Sequence, residues 1–268
     1  MFKLGIIGVG NMGEAIIKGI INKKILSSDQ VLIYDKIEKK AKNISESYGV
    51  GIAKSNSLLS KLSEIIILAV KPQDLEKTVN EIKDNLTEDK ILVSILAGVS
   101  SSKIKSLLKV NIPVIRVMPN TPALVGEGSI AVSFEDNLNN EKKEYIKSLL
   151  SALGKVYEVE EKLMDVITGL SGSGPAYVFT FIDALAQGGV KKGLPYQLAL
   201  DLAIQTVLGS AKLLQETGEH PMVLRDKVTS PAGTTIYGLH SLEKHNFRNA
   251  VISAVEEATE RSKELGKN

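Results

Sequence analysis

The 268-residue sequence contains no cysteine, no tryptophan and only three histidines. Without cysteine there is no disulfide, no zinc–thiolate centre and no thiol nucleophile. That absence also fits a reducing compartment. Neither sign of charge is in excess: 33 Lys and Arg stand against 31 Asp and Glu, a formal charge of +2. No dense basic stripe with interleaved aromatics runs along the chain, so nucleic acid is not an expected partner. The pairs Lys23-Lys24, Lys39-Lys40 and Lys191-Lys192 read as solvated helix ends or faces. Long hydrophobic runs are missing too. The longest, "EIIILAV" at 64–70, falls far short of the roughly 20 residues that cross a bilayer. The opening "MFKLGIIGVG" has too short an apolar run for a signal peptide. The expectation is a cytoplasmic protein with no membrane partner and no metal site.

What is present is an ordinary globular composition, 43% apolar and 24% charged, long enough for two modest domains. The first half alternates. Short β-rich runs at 3–8, 31–35, 65–70, 91–95 and 113–118 are separated by helical patterns such as "NMGEAIIKGIIN" and "PQDLEKTVNEIKDNL". "IIILAV" and "ILVSIL" are apolar at nearly every position, as strands covered on both faces are. Strand–helix alternation of this kind predicts an α/β fold with a doubly wound parallel sheet, the Rossmann arrangement. After about residue 160 the strand pattern stops and helices follow. Ser173 reads as an N-cap before Pro175, Pro195 falls in a first turn and Gly218 ends a helix. Two more helices are expected near 234–245 and 247–265. The sequence therefore divides into a dinucleotide-binding domain over 1–162 and an all-helical domain over 163–268. "AYVFTFIDALA" has little polar surface, so either a partner subunit covers it or it is the centre of its own bundle.

"LGIIGVGNMGEAI" contains Gly8-Val9-Gly10-Asn11-Met12-Gly13, a G-x-G-x-x-G pattern. At this glycine content roughly one random chain in seven would contain one, so its context decides. It follows the first predicted strand, opens the first predicted helix, and precedes Asp35 at the end of the second strand. Gly8 allows the tight turn, Gly10 the approach of a pyrophosphate, and Gly13 the packing of helix on strand; the helix N-terminus supplies amides for the phosphates. Ligands of such sheets sit beyond the carboxyl ends of the strands. That places two further segments at the site, Ala69-Val70-Lys71-Pro72 and the Ala97-Gly98 pair in "LAGV". Lys71 is either a charge near the cofactor or a solvated loop lysine. Asn56 either contacts the adenine side or belongs to a helix N-cap region. Asp35 suits ribose hydroxyls and repels a 2′-phosphate, whereas Lys36, or Lys39 or Lys40 a turn later, could pair with that phosphate if Asp35 points away.

Near the other end, "VTSPAGTTIYGL" (228–239) gathers Thr229, Ser230, Thr234 and Thr235 around a Pro-Ala-Gly turn at the mouth of a helix. Hydroxyls and free amides at a helix start suit an anion, although Ser230 and Thr234 could equally be plain caps. His220 in "GEHP" reads as the start of a helix with a structural role. "MPNTPALVGEG" (118–128) reads as a fixed crossover, with Asn120 and Thr121 close behind the site.

"IGVGNMG", "AVKP", "RVMPNTPA", "GLSGSGPAYVF", "ETGEHP" and "VTSPAGTTIYGLHSLE" occur in the order found in pyrroline-5-carboxylate reductases, and the chain resembles that family from Lys3 to about Lys263. The resemblance implies reduction of the C=N bond of 1-pyrroline-5-carboxylate to L-proline by hydride from NADPH or NADH, the last step of proline biosynthesis. It implies a Rossmann domain followed by a helical dimerisation and substrate-binding domain, in a homo-oligomer that is a dimer or a pentamer of dimers. It further implies that Thr235 hydrogen-bonds the ring nitrogen while Ser230 and the Gly233–Thr234 amides hold the carboxylate. Ala232 departs from the family pattern, where many members have a second glycine; one methyl group is tolerable provided the backbone there does not need φ > 0. Two rival readings are a non-catalytic NAD(P)-sensing protein and another Rossmann imine or 3-hydroxyacid reductase. Hydroxyacid enzymes of that type rely on a lysine on the helix opening the second domain, and here "GSGPAYVFTFIDALA" has none before Lys191.

Overall fold

Runs that are apolar at every position form strands here because both of their faces are covered. In the computed structural model, which describes residues 2–136 and 138–267, the strands are β1 (Phe2–Ile7), β2 (Val31–Tyr34), β3 (Gly51–Ile52), β4 (Ser63–Leu68), β5 (Ile91–Ser94), β6 (Val114–Met118), β7 (Gly128–Ser133) and β8 (Gly154–Glu158). They form one sheet in the order β3-β2-β1-β4-β5-β6-β7-β8. Every pairing is parallel except β6 with β7. The first six follow the Rossmann order, with the direction of winding reversing between β1 and β4. Side chains alternate between two cores: Leu4, Ile6, Ile65, Ile67 and Val93 on one face, Ile7, Ile66, Leu68 and Leu92 on the other.

Six helices cover this sheet: α1 (Asn11–Asn22), α2 (Glu38–Tyr48), α3 (Asn56–Leu62), α4 (Leu75–Ile82), α5 (Ser101–Leu107) and α6 (Asn140–Leu150). After β8 come the short α7 (Met164–Ile167) and a π-helical turn at Thr168–Gly172. The helices of the second half follow: α8 (Gly174–Lys191), α9 (Tyr196–Thr217), the short α10 (Pro221–Lys227), α11 (Thr234–Lys244) and α12 (Phe247–Lys267).

The chain divides into two compact units, Met1–Ser173 with Glu257–Asn268, and Gly174–Glu256. The segment from 163 to 173 groups with the sheet, and the last turns of α12 return to it. Ser262 Oγ donates to Asp165 Oδ1 at 2.7 Å, which anchors that return.

Several expectations change in detail. Ser173 is not an N-cap: its φ of −86° and ψ of −24° are helical, and it closes the π turn. Pro195 stands at the N-cap of α9, one residue before the first turn, while Gly218 ends that helix in the left-handed region as expected. β7 and β8 lie outside the five runs read as strands. His220 does begin α10: its Nδ1 accepts from Met222 N at 3.2 Å.

Candidate functional site

At the end of β1 the chain turns on Gly8, whose φ of +96° is open to glycine at little cost. A Cβ on Gly13 would run into the Gly8 carbonyl oxygen, so the third glycine is required by close packing. Around Gly10 an added Cβ would meet nothing within 4 Å. Space is therefore open beside the N-terminus of α1, whose cap residue supplies no side-chain acceptor for the helix amides. Free amides, a positive dipole end and open space are what a pyrophosphate needs.

The same turn is one wall of a cavity of about 450 Å³. Of the expected site residues, Gly8, Gly10, Asp35, Lys36, Asn56, Ala69, Val70 and Lys71 line it together. Val9, Asn11, Met12 and Gly13 belong to the turn and first helical turn behind it, and Pro72 starts the short 3-10 turn after β4. Ala97 and Gly98 do not line this cavity. A Cβ on Gly98 would come within 3.2 Å of Leu265 Cβ and of the Ser262 carbonyl, so the end of α12 is packed on that loop.

Asp35 is held by the backbone: Oδ2 accepts from Val9 N at 2.9 Å and Oδ1 from Ile37 N at 2.8 Å. It thereby ties the glycine turn to the end of β2, and each oxygen retains acceptor capacity for a ribose hydroxyl. Asn56 is buried at 7% exposure; its Nδ2 donates to Glu81 Oε2 at 2.7 Å, while its buried Oδ1 has no partner. The helix cap at this point is Ser55, which accepts from Leu58 N, so Asn56 is left to the cavity. Lys40, expected as a possible phosphate partner, lines the cavity too, as do Asp74, Lys77, Thr78 and Glu81, which sequence reading missed as site residues. The signal was available: α4 follows the strand carrying "AVKP", and Asp74, Lys77, Thr78 and Glu81 recur at helical spacing.

In the helical unit, Gly233 is the N-cap of α11, with Thr234 and Thr235 as the first two helical residues. Glycine has no side chain to satisfy the first amides. A Cβ there would strike Ser230 Oγ, so the serine hydroxyl lies over the cap. The Gly233 amide already donates to the Ser230 carbonyl at 3.1 Å. The unsatisfied amides at this helix mouth are therefore those of Thr234, Thr235 and Ile236, a shift of one residue from the Gly233–Thr234 pair expected. Ala232 lies at φ +56°, so the condition for its tolerance is not met and the alanine occupies a left-handed conformation. Thr229 Oγ1 is tied to the Arg225 carbonyl at 2.7 Å, leaving Ser230, Thr234 and Thr235 as the available hydroxyls.

Two further polar anchors lie within the sheet unit. Asn120 accepts from Ser129 N at 2.9 Å and donates to the Ser171 carbonyl at 3.1 Å, bridging β7 and the π turn. Glu161 binds the Ser101 amide at 2.7 Å and also its hydroxyl, and accepts from Arg116 at 3.2 Å. Burial pushes the Glu161 carboxyl up, but the Ser101 bonds and the Arg116 guanidinium outweigh it and leave it below the usual glutamate range.

Sheet order, glycine turn and cavity define the class of protein: a dinucleotide-binding oxidoreductase of the Rossmann type. Residues 161–265 match the family described as pyrroline-5-carboxylate reductase dimerisation, and residues 3–98 the family described as NADP oxidoreductase, coenzyme F420-dependent. A pyrroline-5-carboxylate reductase of Arabidopsis thaliana is 43% identical over 267 residues, spanning 100% of this chain and 96% of its own. That of Methanosarcina acetivorans is 44% identical over 265 residues, spanning 99% and 98%. The crystal structure of Plasmodium falciparum pyrroline carboxylate reductase with NADP bound superposes with a TM-score of 0.90 at 37% identity, covering 99% of this chain and 98% of the other. The chain belongs to the pyrroline-5-carboxylate reductase family.

Proposed function

We propose that this chain reduces 1-pyrroline-5-carboxylate to L-proline with NADPH or NADH, the closing step of proline biosynthesis. The observation that carries the reading is full-length kinship to named reductases together with an open glycine-turn cavity at the carboxyl end of β1. Glycines 8, 10 and 13 with Val9, Asn11 and Met12 cradle the pyrophosphate, and Asp35, Lys36 and Asn56 take the adenosine side. Ala69 to Pro72 and the Ala97–Gly98 loop serve the nicotinamide half. The dinucleotide, when bound, supplies the hydride.

Everything else asked of the protein is binding and proton placement. The substrate is a small cyclic imine bearing a carboxylate. Ser230 and the amides opening α11 hold that carboxylate, with the helix dipole adding to the attraction. The Thr235 hydroxyl hydrogen-bonds the ring nitrogen, accepting from it when it is protonated and donating to it when it is not. Because that nitrogen is basic, it arrives protonated or takes its proton through the hydroxyl or a water, so no histidine is required. What supports this assignment is the glycine cap of α11, which leaves its first amides without a side-chain acceptor.

We assign dinucleotide binding to residues 1–162 and dimerisation with substrate binding to 163–268. The apolar surface of α8 and α9 supports a homo-oligomer, as a dimer or a ring of five dimers. A cytoplasmic location belongs to the same proposal and rests on the cysteine-free composition. The test is oxidation of NADPH and NADH by the purified chain with 1-pyrroline-5-carboxylate. Substrate-dependent turnover to proline is expected; binding of a dinucleotide without turnover would favour the sensing reading instead.

A further inference from the structure

Lys36 follows β2 and Asp74 precedes α4, so their loops stand on either side of the carboxyl end of β1. Both line the same cavity as Gly8 and Gly10. Lys36 Nζ donates to Asp74 Oδ2 at 2.9 Å, joining two walls of that cavity. Asp74 ends the 3-10 turn Pro72–Asp74 that runs directly into α4, in helical conformation (φ −91°, ψ −2°), and its side chain makes no bond to the amides of that helix. Its carboxylate is turned to Lys36 instead.

The residue after the second strand is where an open Rossmann sheet meets the adenosine ribose, and a cation there accommodates a 2′-phosphate. In this chain Asp35 is fixed to the backbone of Val9 and Ile37, and Lys36 is the cavity lysine next to it in sequence; Lys40, Lys71 and Lys77 line the same cavity. A dianionic 2′-phosphate entering the cavity must draw Lys36 away from Asp74. Asp74 then loses its ion-pair partner in a cavity that also carries Asp35 and Glu81, with Lys40, Lys71 and Lys77 as the remaining cations. A ribose with a free 2′-hydroxyl makes no such demand.

We propose that Asp74 is a specificity-determining residue: by holding Lys36 in an ion pair, it withholds that cation from a 2′-phosphate and biases the cavity toward the unphosphorylated dinucleotide. This rests on the reading of the cavity as the dinucleotide site. The pair is solvent-facing, with side-chain exposures of 71% and 31%. Its effect is therefore modest, about two- to fivefold in relative affinity.

Titration calorimetry with NADP⁺ and NAD⁺ on the full chain tests it, using the parent, Asp74→Asn, Lys36→Met and the double variant, each checked for an unchanged melting temperature. Asp74→Asn should tighten NADP⁺ by about two- to fivefold while NAD⁺ stays nearly constant, and the gain should vanish in the Lys36→Met background. An unmoved NADP⁺/NAD⁺ ratio overturns the proposal. So does a gain that persists without Lys36, since Asp74 would then act by direct repulsion. Failure of the parent to bind either dinucleotide removes the cavity reading and the proposal with it, whereas binding of both with an unmoved ratio removes the proposal alone.

Discussion

In the sheet unit, strands β1, β4, β5 and β6 bury side chains on both faces, and the largest are fully enclosed. In Gly174–Glu256 the buried apolar residues among those described are Ala186, Ala199 and Ala203. There Phe179 stays 63% exposed, Leu202 52% and Leu208 59%. A unit whose small residues are inside and whose large ones are outside does not hold itself together by its own core. Packing energy scales with apolar area removed from water, and these side chains contribute only when another surface covers them. The sheet unit is built to fold from its own sequence, whereas the helical unit is built to be completed by a second copy. The alternative that α8 is the centre of its own bundle does not fit this exposure.

The sharpest way to break that comparison is to make the exposed face polar. Leu202→Asp combined with Leu208→Asp should convert the assembly to a 28.9 kDa species by light scattering and abolish turnover. Buried interfacial charges without partners cost several kcal/mol each, about 2–5, which is enough to dissolve an obligate interface. The dinucleotide affinity of the sheet unit should survive. A double variant that keeps its oligomeric mass would show that α9 is not the covered surface.

Thr235→Ala tests the chemistry assigned to the helical unit. One donor aimed at developing charge is worth about 2–4 kcal/mol, so kcat should fall by about two orders of magnitude while NADPH affinity is unchanged. Unchanged turnover would remove Thr235 from the reaction.

A smaller effect belongs to the sheet unit alone. The depressed carboxyl of Glu161 stabilises the fold above its unfolded value, near pH 4.3 for an ordinary glutamate, and loses that contribution as pH falls through its lower folded value. Glu161→Gln should flatten the decline of melting temperature between about pH 5 and 3. At neutral pH it should cost about 1–2 kcal/mol, because Arg116, with a side chain only 8% exposed, loses its charged partner. A variant with the parent's acid slope would place the acid sensitivity elsewhere.

The two units were also unequally legible from sequence. Periodicity located β1, β2, β4, β5 and β6 because continuously apolar runs carry a strong signal, and the glycine spacing located the turn beyond β1. β7 and β8 escaped it: "GSIAVS" follows a glycine-rich crossover, and "GKVYE" is a strand with polar, half-exposed positions. At the cavity, residues contiguous in sequence were found, whereas Asp74, Lys77 and Glu81 were not, because a helix brings them to the wall only through its packing. Ala97 and Gly98 were placed by the rule that ligands lie beyond strand ends. Sequence gave no sign that the last turn of α12 packs on them. Asn56 and Asp35, both expected near the cofactor, line the cavity, but their bonds to Glu81 and to the Val9 amide depend on tertiary approach.

The smallest effect concerns Ala232, where one methyl group separates sequence reading from structure. Its φ of +56° puts Cβ against the following carbonyl oxygen, a strain of about 1–2 kcal/mol for a residue other than glycine. Ala232 is exposed, so its methyl group has little packing to set against that cost. Glycine would relieve the strain but free the unfolded chain, at about 0.4–1 kcal/mol in the opposite direction. The difference leaves Ala232→Gly more stable by up to about 1.6 kcal/mol, at about 2–4 °C in melting temperature per kcal/mol for a chain of this size. Asn246, at the same φ of +56°, is the internal control: asparagine tolerates the left-handed region, so Asn246→Gly should move stability less. Ala232→Val should lower the melting temperature, since a β-branched side chain fits that conformation worst. If valine and glycine at 232 melt together with the parent, the turn before α11 is not strained in solution, and the alanine is neutral there despite its backbone angle.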